Sequence, residues 1–358
     1  MDFNVSSRRS RSIAAVCFGL LLLGALICFW SYPNFLIMRN FRVVGIASDS
    51  KQQEQQTRIE SIARSSNFSV EELWNLDQVL RNATIKNTST VILTPLNQAW
   101  AAPGSMLDYL FESFRSGENT SKFLDSLVIV ALDQVAFERC LVIHRHCFQL
   151  RTQGVDFSGE KFFMTDDYLK MTRRKVSFLA VVLELGYSLV FTDGDLLWFR
   201  DPFPHFSQEA EFEVSCDRFN GDEASLHNGP NTGFLHVKSS NRTVEMFKLW
   251  HNATEIHAES HDQDVFNQIK FSDEFQRIGA RIRFLPSRIF SSFCERPDDL
   301  ESFCTMHANC CVGLHAKMED LRLVLDDWKR FEAQTLGERR SDQSRVWFRA
   351  PDACKRSW

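Results

Sequence analysis

The stretch Leu189-Val-Phe-Thr-Asp-Gly-Asp-Leu-Leu-Trp-Phe-Arg-Asp-Pro202 runs an apolar burst, Leu189 to Phe191, straight into two aspartates, Asp193 and Asp195. One residue apart, their carboxylates fall near the C-terminal end of a strand, and in open α/β sheets ligands bind at that end. Two hard oxygen donors suit Mg²⁺ or Mn²⁺, which take few protein carboxylates and fill their other positions with phosphate oxygens and water. A metal held there can bridge the diphosphate of a sugar nucleotide and take up charge on the leaving group. The same two aspartates also fit an ordinary solvated turn after a strand.

A rival chemistry uses a similar string. Phosphatases of the haloacid-dehalogenase type carry Asp-x-Asp after a strand, with the first Asp as nucleophile. Those motifs continue to Thr or Val two places after the second Asp, where this chain has Leu197 and then Trp198. Working outward, Leu169, Thr172, Val176, Leu179 and Leu183 recur at helical spacing and predict a helix from about Asp167 to Leu185. Thr165 is placed to cap it, Asp166 and Asp167 to complement its dipole, and Gly186 to end it. Apolar bursts at Val91–Leu93, Ser126–Ala131, Gly233–Val237 and Ile282–Leu285 are further strands. The β-α-β order predicts an α/β fold with a largely parallel central sheet of Rossmann type.

The N-terminus supplies context. Residues 13–30 form an 18-residue run without a charge, long enough to span a bilayer as one helix. Arg8, Arg9 and Arg11 precede it, so residues 1–12 are expected in the cytosol and the rest of the chain across the membrane. A cleaved signal peptide is the alternative, but small residues of the A-x-A kind are missing after the run. Six Asn-x-Ser/Thr triplets follow, at Asn67, Asn82, Asn87, Asn119, Asn241 and Asn252, as expected of exposed glycan-bearing loops. Eight of the ten cysteines lie beyond the membrane run and favour disulfides in an oxidising compartment, with 105 pairings open. Cys304-x-x-His307-x-x-Cys310 also has the look of half a zinc site. A net charge of −5 gives no basic footprint for nucleic acid. Residues 31–88 read as a stem, with a local helix at 68–81, residues 89–331 as one α/β domain, and residues 332–358 as a charged, peripheral tail.

Several further motifs join the aspartate region: Ala131-Leu-Asp133, Asp166-Asp-Tyr168, Gly186-Tyr187, Asn228-Gly-Pro-Asn-Thr-Gly-Phe234, His261-Asp-Gln-Asp-Val-Phe-Asn267 and His307-Ala-Asn-Cys-Cys-Val-Gly313. Together they resemble the plant nucleotide-diphospho-sugar transferases related to rhamnogalacturonan xylosyltransferases (glycosyltransferase family 77-like), over nearly the whole body. The resemblance implies a GT-A fold, a single-pass type II Golgi membrane protein with a lumenal catalytic domain, and a nucleotide-sugar donor. It also implies Mn²⁺ (or Mg²⁺) and retention of anomeric configuration. That family usually shows Asp-Ala-Asp or Asp-Val-Asp, whereas this chain has Gly194 between its aspartates.

On this reading Asp193 and Asp195 hold the metal. The resemblance offers His307 as third ligand; the alternative is a histidine packed among cysteines. It also places Asp262 or Gln263 beside the anomeric carbon, where an oxygen stabilises a cationic transition state. Asn231 and Gly233 would help bind sugar or acceptor. Thr94, Asn97 and Asp133 stand at strand ends and are expected to read base and ribose. Lys175, or Arg174 beside it, either reaches the diphosphate or is solvated. Lys317 either contacts the diphosphate or is a solvated first-turn lysine of a 316–328 helix. Partners expected are a UDP-sugar donor, a pentose such as xylose or arabinose being favoured, a cell-wall glycan or glycoprotein acceptor, and the membrane. A catalytically silent glycan-binding relative is the non-enzymatic alternative.

Overall fold

Ser69 and Glu72 close a reciprocal capping box that starts helix α1, Val70–Ala83, and its buried Leu73, Leu76 and Leu80 seat it on the body. In this computed structural model, which describes residues 52–152, 154–297, 300–334 and 349–357, the chain from Ser65 to Trp358 forms one unit. Residues 65–88, read from composition as stem, therefore carry a packed helix. The expected cytosolic tail and the apolar run 13–30 lie outside the described residues. Among the described residues no helix is long and apolar enough to cross a membrane.

The strands follow in chain order: β1 Thr90–Leu96, β2 Leu127–Ala131, β3 Cys147–Gln149, β4 Ser188–Thr192, β5 Leu196–Trp198, β6 Phe212–Arg218, β7 Gly229–Val237, β8 Ile282–Phe284, β9 Phe290–Ser292 and β10 Thr305–His307. The helices after α1 are α2 Gln98–Ala101, α3 Met106–Ser116, α4 Gln134–Ile143, α5 Asp166–Glu184, α6 Asn241–Ile256, α7 Asp262–Ile269, α8 Asp273–Ile278, α9 Leu314–Glu332 and α10 Asp352–Lys355. Seven strands make the central sheet in the order β3-β2-β1-β4-β7-β6-β8. All pairings are parallel except those of β7 with β4 and with β6, so β7 alone runs against the rest. The largely parallel sheet expected from the β-α-β pattern is present, and α5 lies within two residues of its predicted bounds.

Thr165 is the N-cap of α5, but its hydroxyl does not cap; it donates to the Phe162 carbonyl at 2.7 Å. Gly186 adopts φ +95° just past the helix, the left-handed conformation that ends helices cheaply when no Cβ is present. On one sheet face Ile92, Ile129, Val190 and Phe234 pack with Leu107, Leu110 and Phe114 of α3 and with Trp198. A second core gathers Phe199, Phe303, Met306, Trp328 and Phe331 between α9 and a three-stranded sheet of order β5-β10-β9.

The C-terminal segment is not peripheral. Cys354 is bonded to Cys311, and the Asp320 carboxylate of α9 accepts the backbone N–H groups of Asp352, Ala353 and Cys354. Two more disulfides join Cys140 to Cys147 and Cys294 to Cys310, while Cys216 and Cys304 are free and buried. The half zinc site is thereby excluded: Cys310 is spent in a disulfide, and His307 points elsewhere. All six sequon asparagines are exposed, though Asn82, Asn241 and Asn252 sit on helices rather than loops.

Candidate active site

Three sequence-distant segments meet at the C-terminal end of β4. Asp193 leaves the strand with its N–H bonded to the Gly233 carbonyl of β7 at 2.8 Å. The chain then turns through Gly194 and Asp195 into β5. Antiparallel pairing of β5 with β10 sets His307 opposite Leu196, and so beside Asp195. The His307 Nε2 lies 3.2 Å from Asp195 Oδ1 and 3.9 Å from Asp193 Oδ2. One ligand atom from each of these residues falls within 4.8 Å of the others, which fits a single cation. His307 is thus a member of the aspartate cluster and not a packing residue among cysteines. Its Nδ1 is buried without a partner, so Nε2 is the nitrogen presented to a metal.

Gly233 makes this convergence physically possible. A Cβ there would stand 2.3 Å from His307 Cε1, 2.6 Å from Asp193 Oδ2 and 2.9 Å from Asn231 Oδ1. The missing side chain at Gly233, which also lines the cleft, leaves room for the Asp193 and His307 side chains to meet. Gly194 is explained the same way. A Cβ would meet Leu96 Cδ2 at 2.4 Å and Trp100 Cε3 at 3.1 Å, so Leu96 and Trp100 fill the space of the missing side chain.

Lys317, on the first turn of α9, is not solvated. Its ammonium donates to Asp195 Oδ2 at 2.5 Å and to the Ala308 carbonyl at 2.8 Å, standing as a cation on the carboxylate. Burial works against ionisation of Asp195, yet Lys317 and His307 together hold its carboxyl well below the usual range. Asp193 goes the other way, pushed up by burial and by its neighbour Asp195 against the pull of Lys175 and His307.

A second ionic pair, Asp262 with Lys175, lines the same site. Asp262 opens α7 and is buried; its Oδ2 accepts from Thr232 Oγ1 at 2.9 Å and from Lys175 Nζ at 2.5 Å. Burial alone would raise this carboxyl, but Lys175 and His261 hold it down at about 2. Burial likewise opposes the charge on Lys175, and Asp262 and Asp193 restore it. Lys175 therefore faces Asp262, while Arg174 turns away to the Arg151 carbonyl and the Phe68 ring. The phenol of Tyr168, which lines the same cleft, is pushed well above its ordinary value by burial and by Asp262, Asp193 and Asp195, so it stays protonated.

The amide of Gln263 is oriented at both ends. Its oxygen accepts from Thr232 N at 3.2 Å, and its nitrogen donates to Asp217 Oδ2 at 2.7 Å. The other oxygen of Asp217 accepts from Asn231 Nδ2 at 2.8 Å and Asn309 Nδ2 at 2.7 Å. Asp217 and Asn309 escape sequence reasoning. The alternation Phe212, Val214, Cys216 is the signal that marks β6 and puts Asp217 near its C-terminal end.

These groups line one cleft of about 320 Å³. Its wall includes apolar Leu93, Leu96, Trp100 and Val130, then His261, Asp262 and Gln263, and Asp193, Asp195, His307 and Lys317. The residues expected to read base and ribose fare differently. Asn97 lines the cleft, but its amide is committed: the oxygen accepts from Trp100 N and the nitrogen donates to the Gly159 carbonyl. Thr94 does not line it. β1 continues to Leu96, so Thr94 is mid-strand and points away from the face that Leu93 and Pro95 present, with its hydroxyl buried and unpaired. Asp133 is the N-cap of α4; its carboxylate accepts from Ala136 N and Gln98 N and takes no part in the cleft wall.

Comparison with known proteins assigns the class. Residues 122–321 match the model of the nucleotide-diphospho-sugar transferase family, and the chain belongs to that family. It is 40% identical over 289 residues to an uncharacterised protein of Arabidopsis thaliana, covering 80% of this chain and 76% of that one. It is 24% identical over 163 residues to the UDP-galactose:fucoside alpha-3-galactosyltransferase of Dictyostelium discoideum, across 38% of this chain and 25% of that protein. Among solved structures, the glycosyltransferase GlyE of Streptococcus pneumoniae aligns with a TM-score of 0.40 at 14% identity, over 74% of this chain and 66% of that one. The assignment rests on the family match and the plant relative. The chain is a glycosyltransferase by family, and the phosphatase reading of Asp-x-Asp falls with it.

Proposed function

We propose that this chain is a metal-dependent, retaining glycosyltransferase of GT-A type. It moves a pentose such as xylose or arabinose from a UDP-sugar onto a cell-wall glycan or glycoprotein. It works in the Golgi lumen, anchored by the apolar run 13–30. One observation carries the catalytic part: the metal cluster of Asp193, Asp195 and His307 and the Asp262–Gln263 pair line the same cleft. The pentose rests on the xylosyltransferase resemblance, and the named donor of the Dictyostelium relative supports UDP.

The donor set of two carboxylates and one imidazole, Asp193, Asp195 and His307, fits Mn²⁺ or Mg²⁺, and Lys317 stands beside it as a second cation on Asp195. Bound there, the cation supplies Lewis acidity to the diphosphate oxygens. The protein side chains do the rest. The apolar wall of Leu93, Leu96 and Val130 takes the nucleoside, with Trp100 beside the base. Lys317 exchanges Asp195 for a phosphate oxygen, a short movement for a flexible ammonium. Asp262, ionised at neutral pH, and the Gln263 oxygen face the sugar, where cationic character develops as the C1–O bond to phosphate breaks and its electron pair leaves with UDP. The acceptor oxygen then bonds C1, and its proton departs with the nucleoside diphosphate.

The test is donor hydrolysis and transfer by the protein beyond residue 30, across a panel of UDP-sugars, with and without Mn²⁺. Metal-dependent release of UDP from a pentose donor, with the product anomer followed by NMR, is expected. Loss of no UDP from any donor under any metal would sink the proposal.

A further inference from the structure

The segment ahead of α5 presents three consecutive apolar residues to solvent: Phe162, Phe163 and Met164 are 56%, 43% and 42% exposed. Large apolar side chains left exposed together on a folded domain are candidates for a binding surface. The place is informative. Phe163 also lines the cleft, and its ring centroid lies 5.5 Å from that of His261 and 5.4 Å from that of Tyr168. His261 caps the helix that opens with Asp262. The exposed run therefore begins at the cleft wall beside His261 and Tyr168, next to the start of the helix that carries Asp262 and Gln263.

The segment is fastened at several points. Thr165 donates from both its N–H and its hydroxyl to the Phe162 carbonyl. Lys161 pairs with Asp167 at 3.3 Å, and Glu160 accepts the Leu314 N–H of α9 at 2.6 Å. The rings are presented by a tied turn, so a ligand meets them without first ordering them.

We propose that Phe162, Phe163 and Met164 form the acceptor subsite and that a sugar ring of the acceptor seats there. This rests on the transferase reading above. A pyranose or furanose offers an apolar C–H face that packs on aromatic rings, as these rings do on one another. At the same rim the half-exposed carboxylate of Asp264, 3.2 Å from His261 Nε2, has acceptor capacity left for the sugar's hydroxyls. A short apolar face flanked by an imidazole and a carboxylate matches one sugar unit better than an extended peptide, which would need main-chain partners along its length.

The experiment uses the full lumenal protein with its preferred UDP-sugar and, as acceptors, the methyl glycosides of xylose, arabinose, galactose, fucose and rhamnose. A serine- and hydroxyproline-containing peptide forms a parallel arm. Methyl aglycones are chosen because an aromatic aglycone would stack on the rings by itself. Phe162→Ala and Met164→Ala should each raise the acceptor KM about tenfold, the size of one lost ring contact, and lower transfer more than donor hydrolysis. Phe162→Trp should restore the KM, which a mere folding defect would not allow. An acceptor KM that does not move, transfer and hydrolysis falling in step, or hydrolysis without transfer to any glycoside would overturn the proposal. Use of the peptide with a Phe162-dependent KM, the glycosides staying idle, would overturn the sugar assignment. A wild-type protein that hydrolyses no UDP-sugar would instead strike the transferase reading itself.

Discussion

Gly233→Ala puts a single methyl group where the site has no room. The nearest atom, His307 Cε1, would be 2.3 Å away, and Asp193 Oδ2 2.6 Å away. Ordinary carbon contacts begin near about 3.5 Å, so the imidazole must retreat by about 1 Å. That displacement is about twice the roughly 0.5 Å tolerance of a working site. The fold should survive, because overpacking at one position costs about 1–3 kcal/mol. Function should not: displacement of about 1 Å at reacting groups costs on the order of 100-fold in rate. Calorimetric titration with Mn²⁺ should show affinity down at least about tenfold, and donor turnover should fall about 100-fold, with only a few degrees lost in Tm. Wild-type Mn²⁺ affinity and turnover in this variant would refute the assignment of His307 and Asp193 to one ion.

Other outcomes follow from the same geometry. Asp195→Asn should cut metal-dependent turnover at least about 100-fold with folding intact, and normal turnover would remove it from the site. His307→Ala should weaken Mn²⁺ binding while leaving all three disulfides in place; unchanged affinity with scrambled cysteines would make it structural. Lys175→Met strands the Asp262 carboxylate and should cost about 3–5 kcal/mol at pH 7 in urea denaturation. Because Asp262 is held at about 2 when folded, against about 3.9 unfolded, the pair stabilises fully above roughly pH 4 and loses that effect toward pH 2. The deficit of the variant should therefore shrink in acid, and a deficit independent of pH would contradict the pairing. Peptide-N-glycosidase should lower the apparent mass of the protein made in plant membranes, since all six sequon asparagines are exposed; an unglycosylated chain with a protease-open C-terminus in sealed vesicles would sink the lumenal topology.

What the sequence disclosed tracks the length of each signal. Helix α5 repeats its apolar face over five turns, and the burst before Asp193 is uninterrupted, so both were legible within two residues. Strands β5, β9 and β10 are three residues each, too short for any period to show, yet β5 and β10 deliver His307. The strand expected to end at Thr94 runs on to Leu96. Pro95 argued for the end of β1, but β4 pairs only with Thr90–Leu93, so on that side the N–H missing from Pro95 is not needed and the strand runs on. The role of Asp217 exists only after Asn231, Gln263 and Asn309 have converged on it, and no local pattern can announce that.

Cys310 and Cys311 are neighbours in sequence, yet one is tied back to Cys294 and the other forward to Cys354. Between them and β10 lie only Ala308 and Asn309, the residue that reaches Asp217. The order of manufacture is thereby constrained. The His307 imidazole takes its place on a strand whose far end is anchored by bonds that form only under oxidising conditions. A chain produced in a reducing bacterial cytosol can thus yield soluble material with the central sheet formed and the cation site slack. Protein for kinetic work is best drawn from a secretory host, and thiol reductants kept out of the assay buffer.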